Sequence, residues 1–156
     1  MRLKLLCCEV FFREICLLAS ASPHTCDIEF LPKGLHDLGA DKMPARLQEL
    51  IDRVEAGRYD AIVLVYGLCN NGVSGLRSPH TRIVIPRAHD CISLFLGGRE
   101  RYRERFNSHP GTYYRTTGWI EYYGAMQVNL EVDPAAATTI ERLAVEIPLR
   151  LEIARY

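Results

Sequence analysis

Four residues in the middle of the chain have types and spacing suited to chemistry: Cys69, and the run His89, Asp90, Cys91 that follows it. Thiolate sulfur and imidazole nitrogen are the usual donors for zinc, and cysteines also hold iron–sulfur centres. In a metal reading the ligands are Cys69, His89 and Cys91, joined by Cys8 from the start of the chain. Arg87 then neutralises the carboxylate or phosphate of a small anionic substrate, and His89, Asp90 and Arg87 form the catalytic set. The same atoms support a second chemistry, in which His89 activates Cys69 or Cys91 as a nucleophile, because a thiol needs a lowered pKa to react well at neutral pH. They also support none: Cys69 lining the apolar base of a loop, with His89 bonded to Asp90 or to backbone and steadying a turn. Glu9 is available as a proton acceptor or as the partner of a ligating histidine.

Two short apolar runs deliver the chain to these residues. Ile62 to Val65 and Ile83 to Ile85 are continuous β-branched and aliphatic stretches, and both read as buried strands. Continuous apolarity favours strands covered on both faces, as in a parallel sheet, where ligands gather beyond the carboxyl ends. Between the runs lies GLCNNGVSGL, where Tyr66 and Asn70 flank the cysteine turn with a hydroxyl and an amide that could orient a substrate or satisfy the loop backbone. Its glycines have neither the phosphate-loop nor the dinucleotide spacing.

LKLLCCEV, at 3–10, suits a first strand, and alternation along it means that Cys7 and Cys8 cannot both face one ligand. The next residues, 11–19, fit a short helix covering the sheet, with Cys16 in the core. A second strand closes at Pro32, and the loop after it carries His36 and Asp37. A helix is expected from about 43 to 56, with Leu47, Leu50, Ile51 and Val54 as one stripe, Pro44 in its first turn, Asp41 as its cap and Gly57 as its stop. Asp90 is placed to cap a helix at 92–96, and RERYRERF continues it brokenly after Gly97 and Gly98, with Tyr102 and Phe106 on one side. The block HPGTYYRTTGWIEYYG is dense in aromatic rings, which could stack on a planar ligand or close the core edge; Tyr114 and Trp119 are the candidate cofactor contacts.

The chain has 156 residues, 48% apolar and 24% charged, which suits one globular domain over 1–156. Its 19 basic and 19 acidic residues cancel, so no global field attracts nucleic acid or an anionic membrane. Arg13 and Glu14 interrupt the first apolar segment before it reaches the ~18 residues of a spanning helix. Glu9 and Glu14 also fall where a signal peptide would be apolar, so a cytoplasmic location is expected, with the six cysteines as thiols or ligands rather than disulfides. Strands alternating with helices point to a three-layer α/β domain with a mainly parallel, Rossmann-like sheet flanked by helices.

YGLCNNG, IPRAHDCISLFLGG and GTYYRTTGWIE, in this order, resemble the domain-of-unknown-function family DUF1638 over about residues 3–121. The resemblance implies that Cys69, Arg87, His89, Asp90, Cys91, Gly97, Tyr114 and Trp119 belong to the family pattern. It also implies a role near corrinoid or one-carbon metabolism, with a corrinoid or methyltransferase protein as partner, either as an enzyme or as a non-enzymatic accessory. The segment 126–156 departs from the longer helical continuation of the family and reads as a shortened or altered C-terminus.

Overall fold

The computed structural model describes residues 1–38, 42–69 and 71–125, except for the side chains of 36–38 and 122–125. Expectations for Asp41, Asn70, the side chains of His36 and Asp37, and the segment 126–156 lie outside the described residues. Residues Met1–Tyr122 form one compact unit, and the candidate site lies within it.

Four strands, β1 (Arg2–Cys8), β2 (Thr25–Leu31), β3 (Ala61–Val65) and β4 (Ile83–Val84), form one sheet in the order β2-β1-β3-β4. Every pairing is parallel. This is an α/β fold. All strand ends with the same polarity therefore lie on one edge of the sheet. The chain moves one way from β1 to β2 and the other way from β1 to β3, which makes the carboxyl ends of β1 and β3 a switch point where ligands collect.

Strand parity builds the core. Leu6, Cys8, Ile62, Leu64 and Tyr66 point to the same side, where Met43, Leu47, Leu50 and Ile51 of α2 (Lys42–Asp52) bury them. Helix α2 ends before the expected Ala56, because Val54 N–H bonds to Ile51 O, three residues back, and tightens the last turn. The other side of the sheet is more thinly covered. Phe12, the first residue of α1 (Phe12–Ala21), packs against Phe30 with ring centroids 4.9 Å apart, yet no residue of α1 is buried. Cys16, expected in the core, is exposed, because α1 turns much of its apolar surface outward, Leu17 and Leu18 included.

The second apolar run is also corrected. Only Ile83 and Val84 pair, and Val84 and Ile85 are exposed, because β4 is the edge strand of the sheet among the described residues. After it come α3 (Cys91–Phe95), α4 (Arg99–Ser108) and α5 (Thr117–Ala125), the last a helix that the aromatic block did not announce. Gly97 and Gly98, at φ +80 and +146, take the left-handed conformations that separate α3 from α4.

Leu64→Ala opens a cavity at a fully buried position and is expected to cost about 2–5 kcal/mol, whereas Leu17→Ala on the exposed side of α1 should stay within about 0.5 kcal/mol. Urea unfolding of the two variants beside the parent protein checks the contrast.

Candidate functional site

The carboxyl edge of the sheet is closed by backbone contacts. Beyond β3 and β4 the pairing continues into the following turns, where Leu68 N–H donates to Ala88 O at 2.8 Å and Cys69 N–H to His89 O at 3.0 Å. Gly67 makes this approach possible, because a Cβ there would lie 2.6–2.7 Å from the backbone of Asp90. Cys69 itself has φ 45, in the left-handed region that non-glycine residues seldom occupy, and Gly72 N–H closes the turn on its carbonyl at 3.0 Å.

Asp90 then starts α3. Its Oδ1 accepts from Ser93 N–H and Ser93 Oγ–H, both at 2.8 Å, as an N-cap. Burial raises the Asp90 carboxyl, but the two bonds from Ser93 and the nearby His89 outweigh it and hold it below its usual range. Because the helix begins at Cys91, the side chains at 89 and 91 part. The His89 side chain is 78% exposed, 3.4 Å from Asp90 Oδ2, while Cys91 turns inward against the core. His89 therefore stands apart from the thiols, and Arg87 is exposed at the surface.

Strand parity places the two N-terminal thiols on opposite sides. Cys7 shares its surroundings with Cys16 and Cys26, whereas Cys8 shares its own with Cys69 and Cys91. Three elements thus bring Cys8, Cys69 and Cys91 into one neighbourhood. Burial, with each thiol opposing the ionisation of its neighbours, pushes Cys8 up to about 12 and Cys69 up to about 11. Burial also raises Cys91, against a hydrogen bond from Trp119. All three are neutral thiols at pH 7, so the arrangement does not suit a nucleophile primed by His89. Among the described residues no three His, Cys, Asp or Glu side chains stand where they would hold a metal ion as they are.

Trp119 covers this neighbourhood from α5. Gly118 packs against the turn after β1 so closely that a Cβ would meet Val10 O at 2.1 Å, and Arg13 is ion-paired with Glu121 on the same helix. The Trp119 ring also lies 4.2 Å from Lys33 Nζ, and Lys33 is only 7% exposed. Lys33 N–H donates to Glu9 Oε1 at 2.5 Å, so the carboxylate ending β1 ties down the turn after β2. Lys33 was missed from sequence, although its place directly after Pro32, at the end of a strand in a parallel sheet, is a readable signal. Tyr66, which flanks the turn, is buried beside Cys8 and Cys69, and burial raises its phenol far above the ordinary value. Tyr114 stands apart from the thiols' surroundings, with its ring 6.1 Å from that of Tyr102 on α4.

A family model described as a protein of unknown function (DUF1638) matches residues 30–144. The chain belongs to the DUF1638 family. No curated protein and no solved structure matches the chain. The matched stretch of this DUF1638 protein begins and ends later than the 3–121 expected, and it includes Lys33, Tyr66, Cys69, Cys91 and Trp119 but not Cys8.

A concavity of about 170 Å³ opens on the α2 side of β1 and β2 among Lys4, Asp27, Glu29, Arg58 and Tyr59. Its charges neutralise one another: Lys4 Nζ is 3.4 Å from Asp27 and 2.9 Å from Glu29, and Tyr59 donates to Asp27.

Removing the cap by Asp90→Ala should cost about 1 kcal/mol at pH 7. The folded Asp90 carboxyl lies below its unfolded value of about 3.9, so its contribution is complete above that pH and disappears as pH falls through the folded value. Urea unfolding at a series of pH values should show the stabilities of parent and variant converging on acidification.

Proposed function

We propose that this DUF1638 protein binds a thiophilic metal, zinc or the iron of an iron–sulfur centre, through Cys8, Cys69 and Cys91. The observation that carries the reading is the convergence of three thiols from three separate elements at the carboxyl edge of a parallel sheet, beside its switch point. Three soft donors fit such a cation and leave a fourth position open for a substrate, as catalytic zinc sites do. Binding requires the thiols to rotate toward one another, since their resting positions do not form a cage. His89 is not among the ligands, because its ring faces solvent.

The place of the protein in corrinoid-linked or one-carbon metabolism, beside a methyltransferase, is supported by the resemblance of its cysteine, histidine and tryptophan blocks to the family pattern. All six cysteines are free thiols, which supports a reducing, cytoplasmic location. Buried apolar residues on both β1 and β3, in an all-parallel sheet, are what favours a Rossmann-like arrangement.

Protein purified without oxygen should carry near-stoichiometric metal by elemental analysis. Cys8→Ser, Cys69→Ser and Cys91→Ser should each lose most of it, while Cys7→Ser, altered on the opposite side of the same strand, should keep it. Absence of stoichiometric zinc, iron, nickel and cobalt from the parent protein overturns the reading. So does equal loss from Cys7→Ser and Cys8→Ser.

The raised thiols set a pH dependence. Metal uptake must expel their protons, so affinity should rise with pH by roughly tenfold per unit for each proton released, and should keep rising above neutrality because the free thiols titrate so high. Competition with a chromophoric zinc chelator at pH 6 to 8, corrected for the chelator's own protonation, measures the slope.

A further inference from the structure

Helix α4 follows the thiol site in the chain and does little for the core, since none of its residues is buried. Around its axis the positions run Arg101, Arg105, Tyr102, Phe106, Arg99, Arg103, and then, on the far side, Glu100 and Glu104. An aromatic stripe is thus flanked on both sides by arginines, with the carboxylates turned away from it. The rings of Tyr102 and Phe106 stack with centroids 6.4 Å apart, and Phe106 is 53% exposed. Tyr114 lies against Tyr102, and the next ring, Tyr113, is 75% exposed with the Arg115 guanidinium 5.5 Å from its centroid.

The arrangement segregates charge around the helix, with opposite charges at i,i+3 in Glu100 with Arg103 and Arg101 with Glu104. Arg99 with Arg103, Arg101 with Arg105, and Glu100 with Glu104 are like charges at i,i+4, which repel. None of these six groups is in an ion pair among the described residues. From Arg87 to Arg115 the chain has six arginines against Asp90, Glu100 and Glu104, a surplus of three positive charges in a protein whose formal charge is zero. Arginine as such is not the signal, because arginine is the common cation throughout this chain. The segregation is the signal: among the described residues the arginines around these exposed rings are in no ion pair, and the carboxylates lie on the far side of the helix.

We infer that this face of α4, with Tyr113, docks an acidic surface of a partner protein, whose carboxylates pair with the flanking arginines while an apolar side chain seats on Phe106. Arginine and tyrosine are the residues that most often dominate the energy of protein interfaces, and planar guanidinium groups match carboxylates bidentately. A protein fits better than a nucleic acid. The cationic strip is a single helix, about 15 Å long, with two carboxylates on it, and the neutral chain has no wider field to steer a polyphosphate.

The test uses the full chain and a short glutamate-rich peptide with one central leucine, with fluorescence anisotropy read at low and at physiological salt. The parent protein should bind, more weakly as salt rises. Arg101→Glu/Arg105→Glu should weaken binding by about tenfold or more, and Phe106→Ala should weaken it for the leucine peptide but not for an all-glutamate peptide. Because α4 buries nothing, the helical circular dichroism of these variants should match the parent. Equal binding by parent and double variant overturns the inference, as does an oligonucleotide of matched charge that binds more tightly than either peptide. Identical affinity for the two peptides removes the apolar seat and overturns the docking mode proposed.

Discussion

The close approach of the turns after β3 and β4 is the constraint on which the candidate site depends. Gly67 lies against the backbone of Asp90 with no room for a side chain, and the hydrogen bonds from Leu68 and Cys69 to Ala88 and His89 carry the sheet pairing beyond its strands. Two consequences follow from that one contact. Cys69 is held in a left-handed conformation beside Cys91, and Asp90 is held where its carboxylate caps α3 and turns Cys91 inward. A Cβ at residue 67 would force the two turns apart, and the thiols with them.

Burial gives these thiols their character. A cysteine in an apolar surround with other cysteines for neighbours is a poor acid, which keeps Cys8 and Cys69 in the thiol form at neutral pH. A cation reverses that balance, because it stabilises the thiolate that burial disfavours. The same burial that weakens a nucleophilic role is compatible with a metal one. Trp119 and Lys33 close the neighbourhood, and the short approach of Gly118 to Val10 fixes the turn of α5 that carries the indole.

The two sides of β1 divide the labour. One side carries Leu6 and Cys8 into the core under α2, and the other carries Cys7 toward a helix that buries nothing of its own. A parallel sheet ordinarily has both faces covered. Here the clustered thiols and the residues that pack most tightly share one side, so the candidate site borrows its rigidity from the core.

Much of this was legible in order along the chain. Local periodicity marks β1, β2, β3 and the stripe of α2, alternation separates Cys7 from Cys8, and the Asp90 cap reads directly from its type and place, because all of these are set by residues a few positions apart. Continuous apolarity misjudged Ile83 to Ile85, since a β-branched run looks alike in a central strand and at an edge. The helix at α5 was hidden by glycine and aromatic residues whose weak propensity is overridden by packing against Val10. His89 looked like a ligand because it stands two residues from Cys91, but the start of a helix between them sends the two side chains apart. By itself the sequence determined β1, β2 and β3, the parallel α/β class and the opposed directions of Cys7 and Cys8, all short-range properties of the backbone. Only the tertiary structure decided that Cys8, Cys69 and Cys91 share a neighbourhood, that Lys33 and Trp119 close it and that His89 does not join it. Those are contacts between segments distant in the chain, fixed by strand order and by a glycine against a backbone.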